Sequence, residues 1–447
     1  MKFIAILLFS LLSISVCISQ NWNGHYSYHN SIDTSTGNGK IFTASENAIY
    51  IYSTQDDQLN VITTIDGLSG DFISNIHYSP NFNKLIIGFE NGLIQIVDFN
   101  NDNILTIYDI IEKTTIPPNK KKINELTEVD NIIYIATDYG ISLYDLNLLE
   151  FGDSLFIGDG GTQQQVNQTI INDNFLYATL LDFGGIKRVS LDSDIINYQN
   201  WELIYPGDFN FILNLNDSFI FTNENNVFLS QNSTSTLVIS LPQPIKEITI
   251  NEGEIIITSE DKIFIYDTNF NLISSSIISS NFNTTFNSSI LYNNYIYVAT
   301  SSEGLLKINT NNIQQNYSIL PVGPLYNNVF SISSLYGNVW ATFGDYTSTY
   351  NPYPLRRNGI SHLANEDWHN INYDSIPENA VNLNSISLNP FNLNNIFISS
   401  YHGGLLEISE ESLVLHDQSN SDLESLISAD ANYNSVRISG SNFDDSG

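Results

Sequence analysis

The stretch Leu85-Ile86-Ile87-Gly88-Phe89-Glu90-Asn91-Gly92-Leu93 decides how this chain is read. Three apolar residues lead to a small one, then a polar turn, then Gly-Leu. The phrase returns as Ile133-Tyr134-Ile135-Ala136-Thr137-Asp138-Tyr139-Gly140-Ile141. It returns again as Ile296-Tyr297-Val298-Ala299-Thr300 with Gly304-Leu305, and as Ile396-Phe397-Ile398-Ser399-Ser400 with Gly403-Gly404-Leu405. Anchored on the small residue, it falls at Ala44, Gly88, Ala136, Ala178, Thr222, Thr258, Ala299, Ala341 and Ser399. A recurring interval of this kind is the mark of a repeat architecture.

Between anchors come a turn, an apolar strand, a polar stretch and another strand. Asp66-Gly67-Leu68-Ser69-Gly70-Asp71 leads into Ile73 and Ile76, and Pro80-Asn81 makes the turn before Leu85. Short strands with turn signals every ~8 to 12 residues argue for an all-β chain. A period of about 40 to 45 residues fits one four-stranded propeller blade. Small anchors are expected where strands crowd toward a central axis. A solenoid is disfavoured, because its repeats are shorter or helical and no 3.6-residue period is present.

Nine copies exceed one ring, since propellers close with about four to eight blades. The expected fold is therefore tandem β-propellers, the first about seven-bladed and the second incomplete in this chain. The break is expected near 311–324, where Pro321, Gly323 and Pro324 cluster. Residues 20–318 are assigned to the first propeller and 319–447 to the start of the second. The next unit carries Trp340 and a long insertion over 345–374. Val436-Arg437-Ile438-Ser439-Gly440 reads as a strand entering a hairpin whose return is missing. The chain reads as the N-terminal part of a longer protein, and the first blade could need a strand from the missing C-terminal part to close its ring.

Lys2 and the apolar run Phe3 to Ile18 read as a signal peptide over 1–19, cleaved after Ser19. The rival reading makes Cys17 a lipidated residue after Ile14-Ser15-Val16, although Val16 sits where a small residue is needed. Cys17 is the only cysteine, so the mature chain has no disulfide and no thiol chemistry. No later apolar stretch reaches the ~20 residues of a membrane-spanning helix. The chain carries 15 basic and 48 acidic residues, net charge −33. That balance disfavours nucleic acid, whose phosphates need Lys and Arg. No Asp-x-Asp-x-Asp-Gly loop supports a calcium site.

No enzyme signature stands out. The seven histidines have no zinc spacing, and His25 with His29 reads as packing or surface rather than a metal pair. Gly67-Leu68-Ser69-Gly70 is a turn, not a nucleophile elbow. There is no phosphate-binding loop. A glycosidase-type carboxylate pair is left open by so many acids. Neither cofactor nor metal is expected. Lys120-Lys121-Lys122, after Pro117-Pro118, reads as a solvated loop, and Trp22 and Trp201 as blade packing.

One constellation suits ligand binding. Arg356 and Arg357 are two of four arginines in the chain, inside Tyr350-Asn351-Pro352-Tyr353-Pro354-Leu355-Arg356-Arg357-Asn358-Gly359. Tyr350, Tyr353 and Trp368 offer flat faces to sugar rings, and an arginine fork matches phosphate or carboxylate. The bland alternative pairs the arginines with Asp345, Glu366 or Asp367 to brace the insertion.

Gly67-Leu68-Ser69 with Ile73, Ile76, Leu85-Ile86-Ile87-Gly88 and Gly92-Leu93 resembles the two-component-regulator propeller repeat. More narrowly, Trp22 through Leu93 resembles the PorZ-like surface proteins of the type IX secretion system in Bacteroidetes. So do Gly323 to Asn328, Val339 to Gly344, Tyr350 to Pro354, Asn358 to Ser361 and Val436 to Gly440 with Phe443-Asp444. The resemblance covers essentially the whole mature chain. It implies a non-catalytic scaffold on the outer face of the outer membrane, working with a PorU-like sortase and PorV-like and PorQ-like partners. It also implies binding of anionic lipopolysaccharide and its presentation to the sortase for attachment to secreted cargo. The alternative is the periplasmic glycan-sensing propeller region of a hybrid two-component regulator. A third reading is a propeller glycosidase or lyase.

Overall fold

The computed structural model describes residues 23–444 apart from 232–233, 278–281, 345, 410–411, 429 and 431–432. The signal-peptide segment, Cys17, Trp22 and Asp345 lie outside the described residues. The rest is nine four-stranded antiparallel sheets, each built from four consecutive strands. The all-β reading holds. A single helical turn, Asp109–Glu112, and short 3-10 turns interrupt the pattern.

Seven sheets, spanning 31–62, 73–107, 123–155, 166–205, 212–240, 247–277 and 286–319, form the first ring. Two more, 331–371 and 383–416, follow it. These are blades 1 to 9 below. The repeated phrase is the second strand of each blade and its following turn. In blade 2 that strand, Lys84–Phe89, is buried at every position. On second strands, Ala44 stands opposite Asp33, Gly88 opposite Asn75, Ala136 opposite Glu125, Thr258 opposite Glu247 and Ala299 opposite Ser288. These partners line the channel of the first ring, and at Gly88 the limit on size is set by the next blade. A Cβ on Gly88 would lie 2.6 Å from Ile123 Cγ2 of blade 3.

Gly92 is needed twice over. Its φ is +89°, and a Cβ there would meet Ile110 Cγ2 at 2.7 Å and the Lys121 carbonyl at 2.9 Å. The basic run beside it is not a solvated loop throughout. Lys121 is buried with its ammonium on the Ile111 carbonyl, and Lys122 reaches Glu90 at 3.4 Å.

The first ring closes by packing, without a borrowed strand. Blade 1 holds four strands of its own. Asn287 Nδ2 of blade 7 donates to the Ser31 carbonyl at 2.7 Å, and Thr34 N donates to Ser288 Oγ at 3.2 Å. Tyr50 and Tyr52 of blade 1 share an apolar cluster with Ile290, Tyr297 and Leu305 of blade 7. Lys307 crosses this seam. Its ammonium is 2.8 Å from the Tyr52 hydroxyl and lies over the rings of Tyr295, Tyr52, Tyr317 and Tyr297 at 4.6, 5.0, 5.5 and 5.9 Å. Such contacts combine cation–π attraction with burial of the aliphatic stem.

The N-terminal segment ties the first ring to blade 8. Ser27 N donates to Asn327 Oδ1 at 2.8 Å and Ser27 Oγ to the Leu325 carbonyl at 2.7 Å. Gly323 is pressed against this segment, where a Cβ would lie 2.0 Å from the Tyr26 carbonyl. Val436 makes one parallel bridge to Gly403, so 436–440 is not the regular strand its sequence suggests.

Candidate functional site

Three segments converge on blades 8 and 9. The insertion 343–359 joins the second and third strands of blade 8, Asn338–Thr342 and Ile360–Ala364. The turn 401–403 makes the same connection in blade 9, between Ile396–Ser400 and Gly404–Ile408. Segment 433–438 follows the fourth strand, Leu413–His416. In an antiparallel meander these three connections open at the same end of the blades. The turn is pinned where it stands. A Cβ on Gly403 would lie 1.8 Å from the Asn379 carbonyl, and Ser435 Oγ donates to the His402 carbonyl at 3.1 Å.

The side chains form one continuous aromatic group. Tyr346 packs on Tyr401 at 4.4 Å and stacks with Tyr350 at 5.5 Å between centroids. The Arg437 guanidinium lies 5.2 Å above the Tyr401 ring and hydrogen-bonds Tyr433. His402 Nε2 is 3.4 Å from the Tyr353 hydroxyl and 3.3 Å from that of Tyr433. Burial, with Arg437 nearby, lowers the His402 pKa, so the ring is neutral near pH 7 and can accept from one of these hydroxyls. The hydrogen bond from Tyr353 lowers the Tyr433 pKa, helped by Ser435 and Arg437. Tyr401 is buried, whereas Tyr350, Tyr353 and Arg437 are exposed. None of the ion pairs among the described residues involves Arg437.

The five residues singled out from sequence are therefore divided. Tyr350 and Tyr353 join the aromatic group. Arg356 is held through its backbone: its N–H donates to Asn382 Oδ1 and its carbonyl accepts from Asn382 N at 2.9 Å. The Arg357 side chain hydrogen-bonds the Tyr373 hydroxyl. Trp368 donates from Nε1 to His25 Nδ1 at 3.1 Å, with the rings edge-on at 5.5 Å. His25 thus packs on Trp368, while His29 Nδ1 bonds the Ser302 carbonyl at 3.0 Å. Sequence reading missed Tyr346, Tyr401, His402, Tyr433 and Arg437. The Gly403-Gly404 pair marks the turn, but nothing in it points to a residue more than thirty positions away.

The first ring has a polar channel of about 630 Å³. Asp33, Asn75, Glu125, Gln168, Glu247 and Ser288 line it from the innermost strands. Each reaches a neighbouring blade. Asp33 accepts from Ile76 N at 2.8 Å, Asn75 Nδ2 at 2.9 Å and Ser288 Oγ at 3.2 Å. Asn75 Nδ2 also meets Glu125 at 3.3 Å. Gln168 accepts from Ile212 N at 2.9 Å, and Glu247 from Ser289 N at 2.6 Å. Burial pushes Asp33 up to about 6 and Glu125 up to about 8, and carries Glu247 well above the carboxylate range. The mutual repulsion of these acids adds to the rise in Glu125 and Glu247. The channel carboxylates are thus committed to fastening blades together. No group of three His, Cys, Asp or Glu among the described residues is placed to hold a metal.

Residues 41–202 match the family profile of the PorZ N-terminal β-propeller domain of the type IX secretion system. No curated relative matches the sequence. The fold is similar to PorZ, an essential bacterial surface component of the type IX secretion system of Porphyromonas gingivalis. The TM-score is 0.79 at 17% identity, covering 95% of this chain and 56% of that one. The chain thus spans little more than half of that protein's length. The fold is also similar to the extracellular domain of a hybrid two-component system of B. thetaiotaomicron. That TM-score is 0.50 at 14% identity, covering 91% of this chain and 55% of the other. Among the described residues no helix is long and apolar enough to cross a membrane.

Proposed function

We propose that this chain, a PorZ-like propeller protein of the type IX secretion system, is a non-catalytic binding and scaffold component at the cell surface. It binds anionic lipopolysaccharide and presents it to a PorU-like sortase, alongside PorV-like and PorQ-like partners, for attachment to secreted cargo. The match of residues 41–202 to the PorZ N-terminal propeller carries this reading. A surface that is net −33 favours solubility and disfavours nucleic acid, which suits an exposed scaffold. We assign 1–19 to a signal peptide, 20–318 to the first propeller and 319–447 to the second.

The test is genetic. Deleting the gene in its own bacterium should leave sortase substrates exported but without attached lipopolysaccharide at the cell surface. Normal attachment in the deletion strain would overturn the proposal. The likeness to a two-component extracellular domain supports a second reading, a periplasmic glycan sensor. A sensor would change transcription when deleted and leave cargo attachment intact.

A further inference from the structure

The group around Arg437 is out of character with the rest of the surface. The chain has 48 acidic and 15 basic residues, only four of them arginines. A surface guanidinium on such a chain would ordinarily find a carboxylate. Arg188 does, with Glu202 at 2.5 Å. Arg437 instead lies over the Tyr401 ring and beside the hydroxyls of Tyr433 and Tyr353. Packing alone does not account for the tyrosines, since Tyr350 is 62% and Tyr353 48% exposed. Exposed aromatic faces, a neutral imidazole, two phenol hydroxyls and a cation outside every ion pair among the described residues face one end of blades 8 and 9.

We propose that Arg437, with Tyr353, Tyr433, His402 and the face of Tyr350, binds a pyranose that bears a phosphate or carboxylate group. This rests on the carrier reading above and gives it a site. Each element has one part in the recognition. The planar guanidinium takes two oxygens of the anion side by side. Its stacking on Tyr401 fixes the plane of the fork and spares rotamer entropy on binding. The exposed tyrosine face takes the apolar face of the sugar ring. His402 and the phenols, already in a hydrogen-bond chain, exchange those bonds for sugar hydroxyls. Local acids do not compete, because none holds the guanidinium among the described residues. Arg357 is not counted in this site, because its side chain is held by Tyr373.

Tyrosine and arginine are also the residues of protein–protein hot spots. The sugar is favoured because the group is small and polar at its centre, with hydroxyls and an imidazole where an interface core would be apolar.

The experiment measures binding of purified lipopolysaccharide carrying anionic polysaccharide to wild type, Arg437→Ala and Tyr433→Phe. Glucose 6-phosphate, glucuronate, glucose and inorganic phosphate serve as competitors. Arg437→Ala should weaken binding at least tenfold and Tyr433→Phe about threefold, with Tm unchanged in both. The phosphate-bearing or the carboxylate-bearing sugar should compete at least fivefold better than glucose, and the stronger of the two identifies the anion. Absence of binding by wild type would overturn the carrier reading itself. Binding by wild type that both variants retain would leave that reading standing and overturn this site. Glucose competing as well as the anionic sugars would refute the role given to Arg437. Loss of sortase binding rather than lipopolysaccharide binding in the variants would show an interface with protein instead.

Discussion

Replacing Glu125 by glutamine should stabilise the first ring at pH 7.5 and leave it unchanged near pH 4.5. In the folded chain burial and Asp33 raise the Glu125 pKa from 4.5 to about 8. A raised carboxyl binds its proton more tightly when folded. Its stabilisation is complete below the ordinary value and is lost as pH rises from 4.5 toward 8. At ~1.4 kcal/mol per pH unit the whole rise corresponds to about 5 kcal/mol. Glu125 keeps some exposure to the channel, so solvent screening brings the expected loss by pH 7.5 to about 2 kcal/mol. Glutamine has the shape of the neutral acid and no proton to lose. The variant should therefore gain about 2 kcal/mol over wild type at pH 7.5, or about 3 °C in Tm for a ring of this size. Asp33 and Glu247 face the same channel and are also raised; His77, paired with Glu128, and Lys246 line it too. Wild type should accordingly be most stable in mild acid, and Glu125→Gln should flatten that slope without abolishing it. Calorimetry of both proteins from pH 4.5 to 8.5 reads the difference. Parallel curves, or a variant less stable at pH 7.5, would refute the argument.

Other perturbations follow from the same packing. Lys307→Ala empties the four-tyrosine cage at the blade 1–blade 7 seam and should cost about 2 to 3 kcal/mol in urea unfolding; a change under about 0.5 kcal/mol would show that the seam closes without it. Gly88→Val drives a side chain into Ile123 and should cost about 1 to 3 kcal/mol by overpacking, with a matching fall in Tm; an unchanged Tm would mean that blades 2 and 3 have room to part. Arg356→Ala with Arg357→Ala should lower Tm slightly and leave lipopolysaccharide affinity within twofold, whereas a tenfold loss would return the site to the insertion.

The ring was legible because its cause is local. Each phrase from Ala44 to Ala299 supplies one buried strand, a polar turn and a small residue, and these sit within ten positions of one another. Pro321, Gly323 and Pro324 fall between blades 7 and 8, where the chain leaves one ring for the next. The reason for small anchors was not legible, since the bulk that excludes a side chain at Gly88 belongs to Ile123 in another repeat. Ring closure was hidden for the same reason. Its contacts include Lys307 on Tyr52, which is 255 positions away. The site was half visible. Tyr350 and Tyr353 stood out beside two arginines, but adjacency in sequence could not show that Arg437 lies against the same aromatic group. Arg437 reaches Tyr401 only because 436–438 runs back along blade 9, held by the Gly403–Val436 bridge and by Ile438 N on the Ser400 carbonyl at 3.1 Å.

The central claim is that the chain carries an anionic glycolipid for a sortase. The direct measurement is the affinity of the purified protein for lipopolysaccharide with and without its anionic polysaccharide, taken from the same strain. Micromolar or tighter binding that disappears with the anionic polysaccharide is the predicted result. Equal binding to both forms, or to neither, would contradict it.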